Sequence, residues 1–465
     1  MTESSSVKVL PFAAVGAVLF LVYLSLRRPY LFDSGHLIAL VAIVVAGFIG
    51  SQYRTHFWTL TIVVFLWAGS DVPFAGPMQI FRWIMLALAA LMGLVLYGRS
   101  SDRIHFNYLH LLALFVVVAA FTSAIVSVNP LLTSLKAVSL LALFIYGSVG
   151  MRILWGRQPE LFLSALGPSL DILTCFTAAC YAVSFEVWGN LNSLGVITGV
   201  VCWPFLLWRF VLAEGRAEYL RRGLVLAACA LLLFVSQSRA SMLAALLSAT
   251  VFLVAARRYR TLLVGISLTA AALTMLFLLS PERFQNASDA LLYKQGKRGQ
   301  ILQSRQEPWE KSMASFREHP WLGLGFGVAE TSGDWRGGFH TPAFQSRERG
   351  SSYFTMLEGT GLVGMVPFAL LVLGLVREST RVFRWLRLTG SVSHPAVPAA
   401  CLVVAGLIHA IFEDWLLAVG YYMTVIFWLI VLSLRDWMAC PAPIALERAP
   451  TAQPVPVSTG SLVLR

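Results

Sequence analysis

Tyr108–Val128 reads YLHLLALFVVVAAFTSAIVSV, 21 residues without one Asp, Glu, Lys or Arg. A helix rising about 1.5 Å per residue needs about 20 mostly apolar residues to cross the hydrocarbon core of a bilayer. The run is long, rich in Leu, Ala and Val, and does not alternate, so it predicts a helix and not a barrel strand. In lipid every backbone polar group must pair internally, which leaves these two structures to choose between.

Similar runs lie on both sides of it. Before it come Pro11–Leu26, His36–Gly50, Phe57–Ser70 and Trp83–Gly98. After it come Leu131–Gly150, Leu161–Val187, Leu191–Leu212, Gly223–Val235, Ala240–Ala256 and Thr261–Leu279, then Tyr353–Val376, Val397–Phe412 and Trp415–Leu434. The composition agrees, with 58% hydrophobic and 12% charged residues, where a soluble domain carries about 25% charged. The expected fold is an all-α polytopic membrane protein with about 12 to 14 transmembrane helices.

The arginines orient it. Arg99 and Arg103, Arg152 and Arg157, Arg209 to Arg222, Arg257 to Arg260, and Arg377 to Arg387 fall in every second connection. Short loops rich in Lys and Arg stay in the cytoplasm, so both termini are expected there, with Arg27 and Arg28 departing from the pattern. Asp71 to Ile80, Ser236 to Ser241, Glu413 to Trp415 and a long polar loop then face the other side. The expected organisation is an N-terminal bundle over 1–280, a large external loop over 281–352, C-terminal membrane helices over 353–439, and a disordered cytoplasmic tail over 440–465 rich in Pro, Ala, Val and Thr. The first run lacks a small-residue cleavage site and reads as a retained span.

The net charge of +12 is largely taken up by arginines that set topology, so it does not imply a nucleic-acid partner. The six cysteines include no C-x-x-C pair, and no Asp/Glu/His cluster shows metal-ligand spacing outside the membrane. Neither a disulfide frame nor a metal site is expected.

Basic residues on the external side need another explanation. Arg82 opens an apolar run in Gln79-Ile-Phe-Arg-Trp, Arg239 sits in the polar notch Ser236-Gln-Ser-Arg, and Lys136 lies within an apolar run near the same side. A charge near the middle of a spanning helix costs about 2.5 to 3.5 kcal/mol on insertion scales. An anionic ligand would offset that, and so would lipid headgroups or a carboxylate such as Glu413 or Asp414; for Lys136 snorkelling competes as well.

The long loop is strongly basic around Lys297, Arg298 and Arg305, and Glu307-Pro-Trp-Glu predicts a helix start. Trp309, Met313 and Phe316 follow at helical spacing, as in an amphipathic surface helix. That helix is expected to stop at His319-Pro320, where Trp321-Leu-Gly-Leu-Gly-Phe-Gly327 makes a tight turn with exposed N–H groups. No strand precedes these glycines, so they are not a dinucleotide fingerprint.

The ordered set of Ser236-x-Ser-Arg239, a further hairpin, Arg305-x-x-x-Trp309, His319-Pro-x-x-Gly-x-Gly, a late-loop His and Glu358-Gly-Thr-Gly-Leu-Val-Gly364 resembles the bacterial O-antigen ligases and the related O-antigen polymerases. The resemblance covers Ser236 to Gly364 closely and the whole chain in topology. It implies a GT-C-like glycosyltransferase in the bacterial inner membrane, with its active site facing the periplasm. A glycan would pass from undecaprenyl pyrophosphate to lipid A-core, with inversion and without metal or cofactor.

Such chemistry asks for cations at the leaving pyrophosphate and a base for the acceptor hydroxyl. Under the resemblance Arg239, Arg82 and Arg305 hold the pyrophosphate, with Lys136, Lys297, Arg298, Arg347 and Arg349 in support, and His340 is the base. The family's late His commonly lies about eleven residues before a G-x-x-G, which selects Gly350 here, ten residues past His340. The assignment of His340 therefore needs a reshaped turn. His319 reads as turn chemistry and His409, inside an apolar run, as a satisfied buried histidine. A polymerase or a protein O-oligosaccharyltransferase would use the same donor. A transporter of lipid-linked glycans or anions is the reading from another class, and it predicts inverted repeats that the chain does not show.

Overall fold

The computed structural model describes residues 54–71, 75–99, 104–156, 158–188, 190–282, 285, 303–328 and 350–440. The runs Pro11–Leu26 and His36–Gly50 and the tail over 441–465 lie outside them.

The described elements are helical, in the order α1 (Arg54–Ala68), α2 (Ala75–Arg99), α3 (Tyr108–Thr122), α4 (Pro130–Trp155), α5 (Pro159–Ala182), α6 (Leu191–Val211) and α7 (Arg216–Val235). There follow α8 (Arg239–Ala255), α9 (Tyr259–Leu279), α10 (Gln303–Glu318), α11 (Ser352–Thr389), α12 (Ala396–His409) and α13 (Tyr422–Ala439). Local chemistry marks the starts. Asn107 accepts from the Leu109 and His110 turn in a capping box, Asn129 accepts from Leu132 N at 3.0 Å ahead of Pro130, and Asn190 accepts from Ser193 N at 2.7 Å. Seven of the described helices are long and apolar enough to cross a membrane, and the shorter α8 and α12 are also apolar. The chain is a multi-pass α-helical membrane protein.

The basic connections gather at one end of the bundle. Arg152 Nη2 donates to Asp436 Oδ1 at 2.9 Å and to His105 O at 2.8 Å. Nearby, Tyr108 Oη donates to Glu378 Oε1 at 2.6 Å, and Trp208 Nε1 donates to Val392 O at 2.8 Å. The opposite end is tied by Asp71 N to Val187 O at 2.7 Å and by Tyr422 Oη to Ser193 O at 3.0 Å.

At that second end α11 is broken. Gly361 has φ 57° and ψ −154°, outside the reach of an ordinary L-residue. A regular helix would join Leu362 N to Glu358 O and Val363 N to Gly359 O. Here Leu362 N donates to Pro320 O at 2.8 Å and Val363 N to Trp321 O at 3.1 Å, while Glu358 O accepts from Leu324 N at 2.9 Å and Gly359 O accepts from Gly325 N at 3.0 Å. Two intrahelical bonds are thus exchanged for four bonds to the segment 320–325. In a low-dielectric bundle this exchange is what makes the break tolerable, because freed backbone groups must find partners inside the protein.

Several boundaries differ from the sequence expectation. Several amides of the glycine turn, expected to be exposed, are paired: Leu324 N and Gly325 N donate to α11, Gly323 N donates to His319 O at 3.1 Å, and Phe326 N donates to Ser123 Oγ at 2.9 Å. The surface helix begins at Gln303, ahead of the expected Glu307-Pro, and takes Pro308 into its second turn. The run Trp415–Leu434 is helical only from Tyr422 onward. Hydropathy alone cannot separate a buried irregular segment from a helix.

A Cβ at Gly361 would stand 2.4 Å from Trp321 C and would meet a positive φ as well. Gly361→Ala is therefore expected to destabilise the protein by about 3 kcal/mol or more. Size-exclusion profiles after a temperature series on purified protein should show a clear fall in midpoint.

Candidate functional site

The broken end of the bundle encloses a cavity of about 380 Å³, within the usual range for a small-molecule site of about 300 to 1,000 Å³. Its walls come from α2, α4, α6, the 326–327 turn, the start of α11 and the irregular stretch between α12 and α13. Irregular backbone at membrane depth is found where it is buried or lines a cavity, and here it does the second.

Arg82 enters from α2. Its Nη1 donates to Gly420 O at 2.6 Å, its guanidinium lies 5.2 Å from the Trp83 ring centroid, and its buried Nε has no hydrogen-bond partner among the described residues. Lys136 on α4 also lines the cavity and donates through Nζ to Gly327 O. Glu413 and Asp414 line the same space, so fixed cations and carboxylates share its wall. Asn190, Asn192 and Ser193 at the start of α6 add amide and hydroxyl groups.

Ser352 fastens this end of the molecule. Its N donates to Ala410 O at 3.0 Å and to Glu413 O at 3.1 Å, and its Oγ donates to Glu413 O at 2.9 Å. The same Oγ accepts from Trp415 N at 3.1 Å and Leu416 N at 3.0 Å. One small side chain therefore holds the start of α11 against the loop that carries Glu413, Asp414 and Trp415.

Helix α10 lies over this region and is held by three polar contacts. Arg305 Nη2 pairs with Glu413 Oε1, Trp309 Nε1 donates to Gly350 O at 3.1 Å, and Ser312 Oγ donates to Glu358 Oε2 at 2.6 Å. Trp309 also stacks on Phe354, with ring centroids 5.4 Å apart. Because Glu358 is the residue whose carbonyl accepts from Leu324, α10 is linked directly to the helix break.

The sequence-predicted residues are thus partly brought together. Arg82 and Lys136 line the cavity, and Arg305 reaches a lining carboxylate without lining the cavity itself. Arg239 begins α8 at the same end, next to Ser238, but is not part of the lining. His340, Lys297, Arg298, Arg347 and Arg349 lie outside the described residues. Asn190, Asn192 and Tyr421 are lining residues given no role in the sequence reading, and His409, read there as a satisfied buried histidine, lines the cavity as well. The usable signal was their placement, polar groups at the margins of apolar runs on the loop side.

The arrangement can bind an anion and recognise hydroxyl-rich groups beside it. Residues 224–369, from α7 through the first part of α11, match the family model described as O-Antigen ligase. That region of the chain is similar to the O-antigen ligase family. Comparison with curated proteins gives no match. The matched residues include Arg239, Arg305, the 320–325 segment and the Gly361 break. Lipid-linked polysaccharide is accordingly the class of substrate the family implies. Arg82, Lys136 and the Glu413–Trp415 stretch fall outside the matched residues yet complete the cavity.

Arg305 and Glu413 are 19% and 15% exposed in their side chains, so removing either strands a mostly buried charge, a loss of up to about 3 to 5 kcal/mol. Arg305→Ala and Glu413→Ala should each lower the unfolding midpoint, and the double variant should lose clearly less than the sum. A thermal double-mutant cycle checks this; additive losses would mean that the two residues do not interact.

Proposed function

We propose that the protein is an O-antigen ligase that transfers a glycan from undecaprenyl pyrophosphate to a sugar hydroxyl of lipid A-core at the periplasmic face of the bacterial inner membrane. The observation that carries this reading is the Arg82 and Lys136 pair in one cavity, at the end of the bundle opposite the basic connections. Positive-inside topology makes that end extracytoplasmic, where a carrier-linked glycan and lipid A-core would meet.

Arg82, with its planar donor fork, takes a phosphate oxygen through the unused Nε edge. Lys136 supplies a second positive charge from α4. Arg305 and Arg239, with Lys297, Arg298, Arg347 and Arg349 from the loop, draw in and steer the anionic donor and the phosphate-rich acceptor. His340 accepts the proton of the acceptor hydroxyl, the oxygen attacks the anomeric carbon from the face opposite the phosphate, and the C–O bond to phosphate breaks. The electron pair leaves on undecaprenyl pyrophosphate, whose charge the cations stabilise. Inversion follows from the single displacement.

The test is a transfer assay with purified full-length protein and one undecaprenyl pyrophosphate-linked glycan, offered lipid A-core, a second carrier-linked unit or an acceptor protein. Product on lipid A-core is expected, with His340→Ala lowering the rate about 10²- to 10⁴-fold and Arg82→Ala weakening donor use. Chain growth would instead assign polymerase activity, and modification of the protein would assign protein glycosylation. Donor binding with no transfer to any acceptor would favour a transporter.

A further inference from the structure

The roles given above leave one buried polar group in the cavity wall without work. His409 ends α12, is 2% exposed and lines the cavity. Its Nδ1 accepts from Trp415 Nε1 at 2.9 Å. An indole N–H only donates, so Nδ1 must carry a lone pair, the ring is neutral and its proton sits on Nε2. Trp415 is itself held. Its N donates to Ser352 Oγ, its carbonyl accepts from Thr424 Oγ1, and its ring packs edge-on against Phe427 with centroids 5.4 Å apart. The tautomer of His409 is therefore fixed by a rigid neighbour.

That leaves Nε2–H as a donor, and Nε2 is a buried atom without a hydrogen-bond partner among the described residues. Buried donors are nearly always paired. Here the unpaired one belongs to a ring in the wall of a cavity that also holds Arg82 and Lys136. A protonated Nε2 cannot serve as a base, whereas it suits an oxygen acceptor brought in by a ligand.

We propose that His409 is a substrate-binding residue, whose Nε2–H donates to a pyrophosphate oxygen of the lipid carrier held by Arg82. This rests on the donor class proposed above. The neutral ring adds a directed hydrogen bond to a wall that already carries cations and carboxylates, and Trp415 fixes its tautomer as a positioning residue.

The experiment uses the full-length protein in nanodiscs, labelled with ¹⁵N-histidine and titrated with undecaprenyl pyrophosphate, alongside His409→Leu and His409→Gln. The chain has eight histidines, and the signal missing from His409→Gln identifies His409. The expected free state is the Nε2–H tautomer, whose resonance moves as the lipid binds. His409→Leu should bind about 10- to 100-fold more weakly, and His409→Gln, which keeps an N–H near the same place, within about threefold of wild type. If wild type binds and the Nε2 resonance does not move, or if folded His409→Leu binds as tightly as wild type, the proposal is wrong. The resonance decides alone if the Leu variant does not fold. A wild-type protein that fails to bind the lipid at all would overturn the donor class and this role with it.

Discussion

The exchange of hydrogen bonds at Gly361 sets the terms for everything at the functional end of the molecule. Breaking a helix inside a bilayer releases amides and carbonyls that water cannot reach. The segment 320–325 takes up both released amides and both released carbonyls, which ties it to α11, while Phe326 next to it bonds Ser123 just past the end of α3. Gly327 O then meets Lys136, and Glu358, at the break, meets Ser312 of α10. Cavity wall, overlying helix and broken span are thus one hydrogen-bonded unit. A change at Gly361 should be felt at all three.

The electrostatics of the cavity follow from the same economy of buried groups. Charges below the membrane surface persist when they are paired or when they serve a ligand. Arg305 is paired with Glu413, which accounts for its place in the fold and gives α10 an anchor. Arg82 is only partly accounted for by Gly420 O and Trp83, and its remaining donor edge is where an anionic ligand adds most. The Ser352 node holds both carboxylates and Trp415 in register with α11, so the polar groups are presented by a rigid frame. Preorganised charge of this kind is the larger lever in a reaction whose leaving group is a pyrophosphate.

The helices were legible because span length and hydropathy act on whole segments, as Tyr108–Val128 shows, and the two ends were legible because arginines such as Arg152 and Arg209 collect on one side. The Ser-x-Ser-Arg, His-Pro and Glu358–Gly364 features were enough to suggest the family. What could not be read was pairing between distant segments. Glu358–Gly364 looked like the opening of a span, and only its partner at 320–325 reveals it as a break. Trp415–Tyr421 is as apolar as a helix, yet it is irregular and lines the cavity. The pairing of Arg305 with Glu413 could not be foreseen, because nothing in sequence joins two residues 108 positions apart. His409 read as a satisfied core histidine, and it is satisfied at one nitrogen only.

The most direct measurement is a cryo-EM map of the full-length protein in nanodiscs with undecaprenyl pyrophosphate bound. Phosphate density beside Arg82 in the cavity, with α11 broken at Gly361 and paired to 320–325, is the predicted result. A continuous α11 helix, or phosphate density elsewhere on the protein with this cavity closed, would contradict it.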